Sequence, residues 1–175
     1  MKIYSSTAMA FIVIVAACAR PASAQTSASQ GFTVIVPPSI SIVAPSNQVI
    51  THDQSDNNQS FPVQNWSVKG NLANGLNVSF ATARAFTHTS DANSKRNAQL
   101  GLSLASSQGS ANWTVTKASD TTDFATGDES ASVTALSDGV GRANFNLSVT
   151  FVTEEFGVFA AGDYSTTIVG TVSAN

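Results

Sequence analysis

The sequence has few cysteines, charged residues and histidines, and these shortages limit the kinds of protein that it can be. Its 175 residues include one cysteine, Cys18, so no disulfide can form within the chain. Charged residues make up 11% of the chain, whereas ordinary globular proteins contain about 25%. The two histidines, His52 and His88, have no partner at metal-ligand spacing, and no G-x-S-x-G, P-loop or H-E-x-x-H motif occurs. We therefore expect a protein that is not an enzyme.

Residues 1–24 have the order of a secretory signal peptide. Lys2 precedes a short apolar stretch over residues 8–17, and residues 22–24, Ala-Ser-Ala, fit the small-x-small cleavage rule. The stretch is too short for a membrane-spanning helix, which needs about 20 residues. We expect cleavage before Gln25 and a mature chain that is secreted or held at the outer cell surface, with no transmembrane helix.

Lipid anchoring is the alternative for the same region. Val15-Ala16-Ala17-Cys18 resembles the lipobox of bacterial lipoproteins, in which the cysteine is lipidated and becomes the first residue of the mature protein. This interpretation competes directly with cleavage after residue 24, because the two cuts exclude each other.

The charge balance of residues 25–175 argues against a nucleic-acid partner. Removing residues 1–24 takes away Lys2 and Arg20, which leaves six basic and eleven acidic residues and a net charge of −5. Binding to DNA or RNA phosphates requires clustered Lys and Arg. We expect other surface proteins or further copies of the chain as partners, and glycans as an alternative.

Alternating apolar residues dominate the chain after residue 30, and they predict β-strands. The clearest example is residues 142–152, where Phe145, Leu147 and Val149 share one face and Asn144 and Asn146 share the other. About nine short strands are expected, at 31–36, 39–43, 65–70, 75–83, 98–106, 112–117, 130–136, 142–152 and 162–172. Turn residues such as those at 106–111 separate them. The pattern predicts one all-β domain over residues 25–175, an antiparallel β-sandwich of immunoglobulin-like or Greek-key type.

The only two tryptophans stand in similar contexts, Asn65-Trp66-Ser67-Val68 and Asn112-Trp113-Thr114-Val115. Trp and Val are two residues apart, so in a strand they share a face. We expect both pairs to be core residues, because buried aromatic rings carry large apolar area. The alternative is that Trp66, Trp113 or Phe86 is an exposed platform for a sugar ring.

Two loops are rich in oxygen ligands. Residues 51–60 contain Asp53, Asp56 and Asn58. Residues 119–130 contain more carboxylates, namely Asp120, Asp123, Asp128 and Glu129. Calcium takes six to eight oxygen ligands, and neither loop has EF-hand spacing. No cofactor is expected, and the second loop is the better candidate if calcium is bound.

The two ends of the chain and the tryptophan motifs resemble bacterial surface proteins. Residues 25–44 form an apolar, alternating N-terminal segment, and Gly162 introduces a C-terminal strand. This arrangement resembles the spore-coat-U and chaperone–usher pilin group, and the resemblance implies that the N-terminal segment completes a neighbour's sheet. The motifs at Trp66 and Trp113, together with Tyr164, resemble the WxL cell-surface group.

These observations predict a structural or interaction protein, with residues 25–44 as a donor or edge strand and self-assembly into a fibre or coat as the specific version. The alternative is a carbohydrate-binding module or adhesin that works with or without calcium.

Overall fold

The computed structural model describes residues 25–175. The predicted signal peptide, and Cys18 with it, lies outside these residues. The chain divides into two units between Ile35 and Val36, and every strand of the described residues falls in the second unit, Val36–Asn175. All strand pairs are antiparallel. The described residues contain no helix, and thus none with the length and apolar character needed to cross a membrane.

Residues 25–175 form thirteen strands in three sheets. Their bounds are β1 Ile40–Val43, β2 Gln59–Ser60, β3 Gln64–Gly70, β4 Leu76–Thr82, β5 Phe86–His88, β6 Lys95–Arg96, β7 Ala98–Gly109, β8 Trp113–Lys117, β9 Ser119–Thr121, β10 Ala131–Ser137, β11 Gly141–Phe151, β12 Tyr164–Ser165 and β13 Val169–Ala174. The first sheet has the order β1-β3-β11-β7-β9, with β2 on β11. The second has the order β13-β4-β10-β8, and a small third sheet has the order β12-β5-β6.

The first two sheets form the sandwich because each presents an apolar face. Alternate residues of β4, β10 and β11 are buried, as a period of two requires. Rings from opposite sheets meet in the core: Phe80 of β4 lies 5.1 Å from Trp66 of β3 and 6.0 Å from Phe145 of β11, between ring centroids. Each such buried side chain contributes about 1.5–3 kcal/mol. The predicted all-β antiparallel sandwich is confirmed.

The strand order matches the immunoglobulin arrangement in its main strands. In that fold one sheet holds strands A, B, E and D, and the other holds C, F and G, with F between C and G. Here β1, β3, β11 and β7 take the places of A, B, E and D, and β4 and β13 take those of C and F. Strands β8 and β10 extend the second sheet beyond β4. Within the described residues, no strand takes the place of G beside β13.

The prediction of a strand at residues 31–36 is wrong for a single copy of the chain. Residues 25–39 contain neither helix nor strand, and regular structure begins at Ile40. A strand needs a hydrogen-bonded neighbour, and residues 31–36 have none among the described residues. Of the segment predicted as a donor or edge strand, residues 25–44, only Ile40–Val43 forms a strand, at the edge of the first sheet.

Two further boundaries differ from the prediction. Strand β7 continues to Gly109, so the turn expected at 106–111 starts later, because residues 106–109 pair with β11. The strand expected at 162–172 is divided into β12 and β13. The interruption covers residues 166–168 and begins at Thr166, whose hydroxyl bonds the Arg84 carbonyl at 2.8 Å and the Thr82 hydroxyl at 2.7 Å. The short strands β2, β5, β6 and β9 were not predicted, because two or three residues are too few to show a period.

Candidate functional site

The N-terminal segment, residues 31–36, exposes several large apolar side chains in a row. Phe32 and Val34 are each 85% exposed, and Ile35 is 87% exposed. Val36 is also largely exposed. Large apolar side chains in a row rarely stay in water unless they serve an interaction, because their burial contributes about 25 cal/mol per Å². Pro37 and Pro38 end this run and separate it from β1.

Strand β13 is the second candidate element, because one of its edges is open. Its other edge pairs over its whole length with β4, from Val169 opposite Ala81 to Ala174 opposite Leu76. Within the described residues, no strand pairs with the open edge. Unpaired N–H and C=O groups along a strand edge are a template for another strand.

A glycine fixes how β13 meets the first sheet. A Cβ on Gly170 would lie 2.7 Å from Cζ3 of Trp66 and 2.8 Å from Cδ1 of Ile42. A side chain there would displace the Trp66 ring, so with glycine the main chain of β13 rests on that ring and on the edge strand β1. Apolar side chains beside this contact remain in water, namely Val169 at the start of β13 and Ile40 and Val43 on β1.

Both tryptophans lie in the core, as their strand pattern predicts. Each is 8% exposed, and Trp113 of β8 packs against Phe145 with 5.6 Å between ring centroids. Phe86, the other proposed sugar platform, is also buried. The two indole Nε1 atoms are buried and have no hydrogen-bond partner within the described part of the chain. Apolar packing therefore holds both rings, and little of either reaches solvent.

The four carboxylates of the second acidic loop do not converge. Asp120 accepts hydrogen bonds from Lys117 Nζ and from the Ser132 backbone N–H, both at 2.7 Å. Burial acts to raise the pKa of Asp120, but these bonds outweigh it and hold the pKa below its ordinary value. Glu129 pairs with Lys95. Asp123 and Asp128 instead pair through their main chains as an isolated bridge that closes the loop.

In the first acidic loop, the side-chain oxygen atoms accept hydrogen bonds from the loop's own turn and from the residues after β11. Asp53 Oδ1 accepts bonds from the Ser55 hydroxyl at 2.7 Å and from the Ser55 backbone N–H at 2.9 Å, and these lower the pKa of Asp53. Asn58 Oδ1 accepts from the Thr153 backbone N–H, and Asp56 Oδ1 from that of Phe156. Over residues 25–175, no three His, Cys, Asp or Glu side chains are grouped closely enough to hold a metal ion.

The two histidines are half-buried, and both contact the loop between β11 and β12. His52 stacks on Phe156 with 5.4 Å between centroids, and its Nε2 lies 3.0 Å from the Thr153 hydroxyl. His88 Nε2 lies 3.2 Å from the Ala161 carbonyl. Each Nδ1 accepts a backbone N–H two residues ahead. These contacts hold the loop, and the Thr153 hydroxyl beside His52 is itself buried and donates to the Asn57 carbonyl at 2.7 Å.

Arg96 is a buried cation that sequence reasoning missed. It is nine-tenths buried, and its guanidinium carbon lies 4.5 Å from the centroid of the Phe159 ring. Its neighbour Lys95 has an acidic partner, but Arg96 is stabilised by a cation–π contact. Its sequence neighbours Lys95 and Asn97 are polar, so the sequence carries no signal that Arg96 is buried.

No protein-family model matches the chain, and no curated protein or solved structure matches it either.

Proposed function

We propose that the protein is a non-enzymatic structural subunit, secreted or carried on the cell surface, that assembles with its own copies into a fibre or coat. The N-terminal segment of one copy adds as a strand to the open edge of β13 in the next copy. The exposure of Phe32, Val34 and Ile35 carries this proposal, because such side chains are stable in a partner's sheet and costly in water.

The lengths and positions of the two elements support the pairing. The apolar run 31–36 has six residues, and β13, Val169–Ala174, also has six. The open edge of β13 is the place that strand G takes in an immunoglobulin sheet. A strand added there gains main-chain hydrogen bonds along its length, which is the mode called β-augmentation. Since the donor segment and the edge that accepts it are different parts of each copy, the contact is head-to-tail and continues from copy to copy.

Three alternative functions, namely sugar binding, calcium binding and catalysis, have less support. Stacking of sugar rings on Trp66, Trp113 or Phe86 requires exposed rings, and these three are in the core. Calcium binding in the loop at 119–130 requires its carboxylates to converge, and two of them pair with lysines. We assign no catalytic role, because the packed histidines serve loop contacts. The secreted or surface location rests on the signal-peptide pattern of residues 1–24.

The test is a gel of the envelope and medium fractions of the producing cells, with unboiled and boiled samples side by side. Strand-linked polymers withstand detergent until they are heated, so a ladder that collapses to one band on boiling is expected. A single band of monomer size in both lanes would contradict the proposal.

Two variants locate the donor and the acceptor. Val34→Asp places a charge in the added strand and should remove the ladder, whereas the control Gln30→Asp adds the same charge outside the run and should keep it. Val169→Lys places a charge on the β13 edge and should also remove it. A mixture of the Val34→Asp and Val169→Lys proteins retains one competent donor and one competent edge, so it should stop at dimers. A ladder from Val34→Asp protein would refute residues 31–36 as the donor.

A further inference from the structure

Two cations stand side by side on the outer face of the first sheet. Lys69 of β3 and Arg142 of β11 are paired directly across the two strands, and both are exposed. Directly opposed residues have Cβ atoms about 5 Å apart, and like charges there are destabilising. Neither cation forms an ion pair with a carboxylate of the described residues. The pair is therefore a cost to the fold that a bound anion would remove.

The face around this pair has no acidic residue, although acids outnumber bases in residues 25–175. Strands β1, β3, β7 and β11 contain no Asp or Glu at all. The eleven acidic residues lie in β9 and in the loops. An anion that approaches this face thus meets local positive charge despite the net charge of −5.

The pair borders an open groove of about 580 Å³ at the end of the sheet. Gln108 of β7 lies opposite Arg142 and Asn71 follows β3, and both line the groove. Asn71 is held in place, because its Oδ1 accepts the Ser39 backbone N–H at 2.6 Å and its Nδ2 donates to the Pro37 carbonyl at 2.9 Å. Uncharged donors and acceptors thus surround two positive charges.

The same face continues away from the groove as rows of amides and hydroxyls. Asn144 donates to the Ser106 hydroxyl at 3.0 Å, and in the next row Asn65 donates to Asn146 at 3.2 Å. Successive rows are about 6.8 Å apart, because alternate residues share a face and the strand rises about 3.4 Å per residue. Each amide has two donor hydrogens and an acceptor oxygen, so bonding capacity remains for a ligand.

We infer that this outer face binds a carboxylated polysaccharide, with Lys69 and Arg142 holding a uronate carboxylate and the amide rows bonding the sugar hydroxyls. Arginine bonds a carboxylate through two parallel N–H groups, and lysine adds a point charge. Nucleic acid is a poorer ligand, because its phosphates need more cations than two. The residues of this surface belong neither to the run 31–36 nor to β13, so variants of the surface leave both proposed assembly elements unaltered.

The experiment measures binding of the protein to polygalacturonate, with dextran as the neutral polysaccharide and polyglutamate as the carboxylate polymer without sugar. We expect the protein to bind polygalacturonate but neither dextran nor polyglutamate, and we expect concentrated salt to weaken the binding. Lys69→Gln combined with Arg142→Gln should weaken it about tenfold or more, which is the effect of losing a charge-assisted contact.

Arg84→Gln combined with Lys117→Gln is the matched control, since it removes the same charge from two exposed residues elsewhere and should keep the affinity. Asn144→Ala should weaken polygalacturonate binding severalfold with the cations intact. Three results would overturn the inference: no binding by the unaltered protein, equal binding of polyglutamate, or equal losses in the two double variants. The Val34→Asp protein should bind as the unaltered protein does, so a failure of the assembly proposal leaves this result readable.

Discussion

Strand β11 and the segment 31–36 have the same alternating apolar pattern and opposite structures. In β11, Gly141–Phe151, the inward residues are buried between two sheets, and the strand is bonded on one side to β3 and on the other to β7. In the segment, Phe32 and Val34 are exposed and no strand forms. The difference teaches that an alternating pattern specifies a strand only when partners are present, and it does not say which chain supplies them.

One substitution made in both regions gives the largest contrast. Val149→Asp should lower the free energy of unfolding by about 4 kcal/mol or more, because it places an unpaired charge at a site that is 8% exposed. Val34→Asp should change it by less than about 0.5 kcal/mol in the isolated protein. Chemical unfolding at a concentration where single copies dominate measures both. A large loss from Val34→Asp would mean that the segment packs on its own chain.

Replacing a glycine in each region should give a smaller difference in stability than the aspartate substitutions do. A Cβ on Gly141 would lie 2.7 Å from the Gln108 carbonyl oxygen, so Gly141→Ala should cost about 1–3 kcal/mol. A Cβ on Gly31 meets no atom within 4 Å, so Gly31→Ala should leave stability within about 0.5 kcal/mol. Thermal unfolding of the two variants is the measurement. Equal melting temperatures would show that β11 has more room at its start than the structure gives it.

Acidification should give the smallest contrast. Asp138, in the turn before β11, accepts hydrogen bonds from the Asn112 side chain at 2.9 Å and from the Asn112 backbone N–H at 2.7 Å, and these lower the pKa of Asp138. Its contribution to stability is therefore present above the ordinary aspartate pKa of about 3.9 and is lost as the pH falls through the lower folded-state value.

The stability difference between the unaltered protein and Asp138→Ala should accordingly shrink between about pH 5 and about pH 2. Residues 26–36 have no ionisable side chain, so the difference caused by Thr33→Ala should not change with pH. If the stability difference between the unaltered protein and Asp138→Ala stays constant on acidification, the ionised carboxylate is not the cause of that difference.

Much of the sandwich was predictable because its long strands alternate over seven residues or more. The positions of β4, β10 and β11 follow from period and length, and the burial of Trp66 and Trp113 follows from the period together with the apolar area of the rings. The division of the C-terminal strand at Thr166 was not predictable, since it depends on hydrogen bonds to Thr82 and Arg84, which are more than 80 residues away.

The candidate surfaces were less visible in the sequence. The apolar run 31–36 is visible in the sequence, but its lack of a partner strand among the described residues is visible only in the structure. Lys69 and Arg142 are 73 positions apart, and only the register of β3 and β11 brings them together. The packing of His52 and His88 has no local signal, because their aromatic neighbours Phe156 and Tyr164 are more than 70 residues away in the sequence.

The distribution of the two tryptophans has a consequence for spectroscopy. Trp66 belongs to the first sheet and Trp113 to the second, and each ring packs on a phenylalanine of the opposite sheet. Two single-tryptophan proteins, each with the other ring changed to Phe, thus carry one fluorophore per sheet. Coincident emission changes during denaturation would mean that the sheets come apart in one cooperative step, and separate midpoints would mean that one sheet outlives the other.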